Sequence, residues 1–160
     1  MAATPSLLRA RDVQALPEEA RKHNLNPALI RHTRSLGDAV GLETIGVHLV
    51  RLENGDTSSV HHYHHQDEEW IYVLSRRGIA EIGDEKHEVA TGDFMGFVAG
   101  SQPHSLHNPN QEYLVYLVGG NRWSFDVCDY PRMGKRRYRI NGKSFYVDAD
   151  VLEKAGEKLK

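Results

Sequence analysis

One cysteine, Cys128, stands alone among 160 residues, which excludes an internal disulfide and any zinc framework built on cysteine pairs. No apolar run approaches the roughly 20 residues that span a bilayer, and the stretch from Met1 to Arg9 lacks the apolar core of a signal peptide. Together with the unpaired thiol, this sets the expectation of a soluble, cytoplasmic protein. A dominant charge is lacking too: 20 Lys plus Arg against 22 Asp plus Glu gives a net of −2, so no strong field points to nucleic acid or an anionic membrane. The expected partner is a small molecule. There is no internal repeat and no low-complexity tract, and the chain is about one domain long, enough to bury a core without disulfides or metal.

Histidine, by contrast, is plentiful and clustered. Four of the ten histidines fall with three carboxylates in His61-His62-Tyr63-His64-His65-Gln66-Asp67-Glu68-Glu69-Trp70. The residues that follow, Ile71-Tyr72-Val73-Leu74, are β-branched and aromatic and read as a strand. The cluster therefore sits where the chain enters a sheet, which points to a metal site on a β scaffold.

Residues 1 to about 40 read as an N-terminal arm that packs on the body, with one helical turn expected where Pro17-Glu18-Glu19 precedes Arg21-Lys22. Asn26-Pro27 and Gly37-Asp38 punctuate it. From Gly41 short β-type runs recur with turn signals between them: Thr44 to Leu52, Glu69 to Leu74, Ile79 to Ile82, His87 to Ala90, Phe94 to Val98, Ser105 to Asn108 and Tyr113 to Val118, the last followed by Gly119-Gly120 as an expected turn. That spacing predicts an all-β sandwich or barrel over residues 41–131. Alternation in the second run puts Glu69, Ile71 and Val73 on one face and Trp70, Tyr72 and Leu74 on the other. A strand apolar on both faces is expected to be covered on both, by a second sheet or a second subunit. Residues 132–160 form a C-terminal extension, with Asn141-Gly142 as a hairpin turn and a short helix from Val151 capped by Asp148 or Asp150.

Strand geometry brings part of the cluster together. His62 and His64 are two apart, so on an extended backbone both rings leave on one face, and Glu69 lies five beyond His64 after a bend. Glu68 is the alternative to Glu69, and strand parity favours Glu69. The best candidate for a fourth ligand is His104. Three imidazoles and one carboxylate suit one divalent transition metal per chain, zinc, iron, manganese, nickel or copper, and the donor set does not choose among them.

These residues carry a family resemblance. The pattern G-x5-H-x-H-x3-4-E-x6-G of the cupin superfamily is similar to Gly55, His62, His64 and Glu69 here, with six residues instead of five after Gly55 and the closing glycine displaced to Gly78. The second pattern, G-x5-P-x-G-x2-H-x3-N, resembles Gly92, Val98 in place of proline, Gly100, His104 and Asn108, with one extra residue before His104. More narrowly, residues 35–131 look like a group of small single-domain cupins. The resemblance implies a double-stranded β-helix, or jelly-roll barrel, of two antiparallel sheets. It further implies a metal held in the barrel mouth by His62, His64, Glu69 and His104, and a homodimer.

On such sites cupins perform sugar isomerisation and epimerisation, dioxygenation and lyase or decarboxylase chemistry, so the resemblance implies an enzyme acting on a small sugar, keto acid or phenolic compound. The alternative is a non-catalytic cupin that binds a small ligand as a sensor. Glu68, Tyr72, His48 and His107 are the groups available as a general base. His61 and His65 are expected to point away from the site, and His107, an odd step from His104, to face outward. Cys128 reads as a small buried hydrophobe and Asn108 as a residue that turns the chain. Lys135-Arg136-Arg137 reads as a solvated face, with anion binding as the lesser alternative.

Overall fold

The computed structural model describes residues 4–152. After a short helix α1 (Ala10–Ala15) come strands β1 (Glu19–His23) and β2 (Asn26–Ser35), a single helical turn α2 (Leu36–Ala39) and β3 (Ile45–Leu52). Then follow β4 (Tyr63–His64), β5 (Glu69–Ser75), β6 (Arg77–Ile82), β7 (Glu85–Ala90), β8 (Phe94–Phe97), β9 (His104–His107) and β10 (Leu114–Asn121). Strands β11 (Phe125–Tyr130), β12 (Lys135–Ile140) and β13 (Lys143–Asp148) close the described chain. The helix expected from Val151 lies outside the described residues, which end in a 3-10 turn over Ala149–Val151.

The strands form an antiparallel jelly roll, as the resemblance implies. One sheet has six strands in the order β1-β2-β3-β10-β5-β8; the others are β13-β12-β11-β4 and β7-β6-β9. An isolated bridge between His62 and His104 ties these two smaller sheets into one wall. Directly opposed residues in antiparallel pairs share a face. The registers Thr33↔Val50, Val50↔Tyr116 and Tyr116↔Val73, and alongside them His48↔Val118, Val118↔Ile71 and Ile71↔Met95, therefore carry one inner face across the large sheet. Val50, Leu52, Ile71, Val73, Leu114 and Tyr116 on this face pack against Ala80, Val89 and Leu106 from the small wall. Burying each large side chain contributes about 1.5–3 kcal/mol.

Two local expectations are corrected. The helical turn expected from Pro17 is strand β1, because residues 19–23 pair with β2 (Arg21↔Arg31, Lys22↔Ile30) and that ladder overrides the helix-like order of charges. Pro27 is tolerated because a register shift at the hairpin leaves it outside the ladder. Gly119-Gly120 is not a turn: both lie inside β10. The glycines are there for space. A Cβ on Gly119 would stand 2.4 Å from the Trp70 ring, and one on Gly120 would stand 2.3 Å from the Glu68 carbonyl.

On β5 the alternation is as expected, Ile71 and Val73 inside, Tyr72 and Leu74 outside. The outer face is open in the single chain, with Tyr72 39% and Phe94 64% exposed. The expected hairpin at Asn141-Gly142 joins β12 to β13, with φ of 48° and 78° at the two turn residues. No helix of the described residues is long and apolar enough to cross a membrane.

Candidate metal centre

The four residues singled out by spacing converge. Oε2 of Glu69 lies 3.6 Å from Nε2 of His62, 3.5 Å from Nε2 of His64 and 3.6 Å from Nε2 of His104. Each arrives from a different element. The bridge between His62 and His104, closed by N–H···O bonds of 3.2 and 2.8 Å, sets those two rings 4.7 Å apart. His64 sits on β4, held against Cys128 of β11. Glu69 opens β5, between Gly120 and Phe97. Phe97 in turn lies flat against the His104 ring at 3.5 Å.

The tautomers follow from what the outer nitrogens touch. Nδ1 of His62 is 2.8 Å from the Val60 carbonyl, which can only accept, so Nδ1 carries the proton and Nε2 turns its lone pair to the centre. Nδ1 of His64 donates to Oδ2 of Asp126 at 2.7 Å, so the proton a metal would displace from this ring is the one on Nε2. Such a carboxylate behind a ligand imidazole fixes its orientation and raises its basicity. His104 is 2% exposed, and neither of its ring nitrogens has a hydrogen-bond partner. An orphaned buried polar group costs about 1–3 kcal/mol, so this ring calls for an acceptor of its lone pair. A divalent ion meets that demand. With metal–nitrogen bonds of about 2.0–2.1 Å, neighbouring donors lie about 3–3.5 Å apart, close to the 3.5–3.6 Å from the Glu69 oxygen to each imidazole; His62, Glu69 and His104 lie within 4.8 Å of one another, and His64 joins through Glu69.

Charge is distributed accordingly. Burial would raise the Glu69 carboxyl, but the three imidazoles outweigh it and hold it well below the usual carboxylate range. Burial lowers His62. Burial also opposes charge on His64, yet Asp126 and Glu69 prevail and raise it to about 9. Two further groupings of potential ligand atoms touch the cluster. Cys128 approaches His62 and His64, but burial pushes its thiol up to about 12, so it offers no thiolate. Asp67 and Asp126 approach His64, but Asp67 is bound to Arg139 at 2.7 Å, and Asp126 also accepts the backbone N–H groups of Gln66 and Asp67.

Three further histidines stand apart. His61 is buried against Ser105, His65 bonds Asp129 at 2.9 Å, and His107 bonds Thr57 at 3.0 Å. Asn108 is fully buried and donates to the carbonyls of Leu52, Glu53 and Glu112, which is how it turns the chain. Of the four groups considered as a general base, His48 and Glu68 line the cavity above the cluster, whereas Tyr72 is on the outer sheet face. Burial, then the charges of Arg122, Arg21 and Arg31, lower His48 to about 4, so it is neutral at pH 7.

The cavity has a volume of about 360 Å³ and reaches from the cluster to the surface. Its walls hold residues that spacing could not single out: His23 and Arg31 from the N-terminal hairpin, and Tyr130, Arg137, Arg139 and Tyr146 from the C-terminal strands. The solvated face expected at Lys135-Arg136-Arg137 is thus divided. Arg136 pairs with Asp129, while Arg137 lies on the cavity side with Cys128 and Tyr146.

The comparisons with known proteins agree with this architecture. A family model described as Cupin domain matches residues 48–120. The chain is similar to a putative sugar phosphate isomerase from Acidithiobacillus ferrooxidans, with 42% identity over 94% of this chain and 97% of that one, at a TM-score of 0.91. It is also similar to a sugar phosphate isomerase from a cupin superfamily of Silicibacter pomeroyi, with 27% identity over 93% and 98% and a TM-score of 0.80. A predicted oxalate decarboxylase from Thermotoga maritima, 15% identical over 69% and 96% at a TM-score of 0.58, shares the fold. No curated protein sequence matches the chain.

Proposed function

The chain belongs to the cupin superfamily, and on that premise we propose that it is a metal-dependent enzyme acting on a small polar metabolite. Its centre is a mononuclear site of His62, His64, Glu69 and His104. The observation that carries the reading is the convergence of three imidazole nitrogens on one carboxylate oxygen, at 3.5–3.6 Å, inside a cavity large enough for a small ligand. The two relatives named as sugar phosphate isomerases favour a sugar substrate and isomerisation over dioxygenation or decarboxylation.

A divalent ion bound there would polarise a carbonyl or hydroxyl, or lower the pKa of a bound water. The chain's own groups have separable tasks. Asp126 and the Val60 carbonyl hold the protons of His64 and His62 on the outer nitrogens. Phe97 and the buried inner face keep bulk water from the back of the centre. Glu68, in the cavity wall, is the group available to exchange a proton with a substrate; His48, also in the wall, is held by Ser35 at 3.1 Å and Arg122 at 3.4 Å.

The reading includes a cytoplasmic homodimer. The unpaired Cys128 fits a reducing compartment, and the open outer face of Trp70, Tyr72, Phe94 and Leu117 fits a second subunit. The test is elemental analysis of untagged protein purified without chelator, followed by assay of the metal-loaded enzyme on aldose and ketose phosphates. About one equivalent of a transition metal with interconversion of one such pair supports the reading. Metal without turnover on sugar, keto acid or phenolic panels moves the function to a ligand-binding cupin.

A further inference from the structure

The cavity wall carries more positive than negative charge. Arg21, Lys22, Arg31, Arg122, Arg137 and Arg139 line it, against Asp67, Glu68 and Glu69. Several of these cations are already neutralised: Arg21 by Glu19 at 2.8 Å, Arg122 by Asp38 at 2.5 Å and Arg139 by Asp67 at 2.7 Å. Glu69 belongs to the imidazole cluster.

Two arginines are the least neutralised: Arg31 pairs with no carboxylate of the described residues, and Arg137 only with Asp126 at 3.7 Å. Arg31 makes one long bond, from Nη1 to the Ser58 carbonyl at 3.5 Å. The Arg137 side chain is only 20% exposed, and its buried Nε has no hydrogen-bond partner. Its nearest carboxylate oxygen, Oδ2 of Asp126 at 3.7 Å, is committed to His64. Both arginines act on His23, which lies beside the Tyr130 ring that stacks on His62. Burial first, then the charges of His62, Arg31 and Arg137, depress His23 to about 4. One patch of the wall, next to the metal centre, thus combines two guanidinium groups with a neutral histidine.

We propose that Arg31 and Arg137 form an anion subsite that takes the phosphate dianion of a small phosphorylated substrate. The proposal rests on reading the cavity as the substrate site, and it adds the groups that hold the anion. Two guanidinium forks offer unspent N–H donors and two positive charges, which matches a phosphate monoester better than a single carboxylate. A buried guanidinium Nε without an acceptor is an unfavourable arrangement that a bound oxyanion relieves. The two arginines come from β2 and β12, on different sheets, so an anion between them links the N-terminal and C-terminal hairpins.

The test is calorimetric titration of the full-length chain with inorganic phosphate at low salt and pH 7.5, in metal-free and metal-loaded forms, with acetate as the carboxylate arm. Metal-free wild type should bind phosphate more tightly than acetate. Arg31→Gln and Arg137→Gln should each weaken phosphate by at least about tenfold, while Arg132→Gln, outside the cavity, leaves it unchanged. Arg137→Lys, which keeps the charge and loses the fork, should fall between, and it carries the test if the glutamine variant does not fold. Undiminished phosphate affinity in the Arg31→Gln/Arg137→Gln double variant overturns the proposal, as does acetate binding as tightly as phosphate or wild type that binds neither. Metal content separates this from the functional reading: phosphate binding through the two arginines in a chain that takes up no metal removes the enzyme and keeps the subsite, and metal uptake without phosphate binding does the reverse.

Discussion

Oδ2 of Asp126 lies 2.7 Å from Nδ1 of His64, while Oδ1 of the same carboxylate accepts the backbone N–H groups of Gln66 and Asp67 at 3.2 Å. One buried side chain therefore sets both the tautomer of an imidazole and the path of the loop that delivers Glu69. Asp126→Asn keeps an acceptor for the loop and loses the charge behind His64. Metal affinity, measured by chelator competition, should fall about 10–100-fold, the usual range for such supporting carboxylates. Unchanged affinity would mean that His64 is oriented by packing alone.

Replacing His62 or His104 by Ala should remove most of the bound metal, because each supplies one of four protein donors. The two variants should differ in the metal-free protein. His62 forfeits a 2.8 Å bond to the Val60 carbonyl, whereas the His104 nitrogens have no partner to lose, so His104→Ala should be the less destabilising by melting temperature. Full metal occupancy in either variant, read by elemental analysis, rules out the assignment.

Metal binding should release a proton. With His64 raised to about 9 by Asp126 and Glu69 over the opposing effect of burial, the metal-free site holds an imidazolium at pH 7.5 that must become neutral to ligate. Calorimetry in two buffers of different ionisation enthalpy should show about one proton released at pH 7.5 and less above pH 9. The stability of the metal-free protein should show the same group. A histidine raised in the folded state stabilises fully below its unfolded value of about 6.5, and that contribution is lost as pH climbs towards 9. A metal-free melting temperature that rises over this window contradicts the shift.

Gly119→Ala should destabilise the chain by about 1–3 kcal/mol, because the new methyl would stand 2.4 Å from the Trp70 ring. Chemical denaturation gives the value. A cost below about 0.5 kcal/mol would show that the indole can swing away freely.

In solution the chain should have twice its 18.1 kDa mass by light scattering, and Tyr72→Arg or Phe94→Asp on the outer sheet face should shift it to the monomer. A monomeric wild type removes the outer face as a subunit contact.

The imidazole cluster was legible because its logic is local. The two-residue step from His62 to His64 and the parity of Glu69 in an alternating strand need only a β backbone, and His104 stands in the matching place of a second recognisable pattern. Asp126 and Arg31 escaped, and Arg137 reads as part of a solvated run with anion binding only as the lesser alternative, because their roles depend on register between distant strands. Nothing near Arg137 in the sequence says that it will oppose Cys128 and Tyr146 and so face inward, while Arg136 beside it pairs with Asp129. Strand β1 was misread for a related reason. Its order of acids and cations imitates a helix, and only pairing with β2 decides the matter. Gly119-Gly120 carried a turn signal whose cause was steric instead, set by Trp70 and the Glu68 carbonyl on the neighbouring strand.

The residues proposed to hold the metal, His62, His64, Glu69 and His104, all fall within residues 48–120, the part that matches the family model, whereas Arg31 and Arg137 come from hairpins on either side of it. On the two proposals above, the metal donors and the anion-holding arginines fall on separate stretches of chain, with Asp126, a support of the centre, lying beyond residue 120. Substitutions in the flanking hairpins should therefore change which anion the cavity takes while leaving metal affinity as it is.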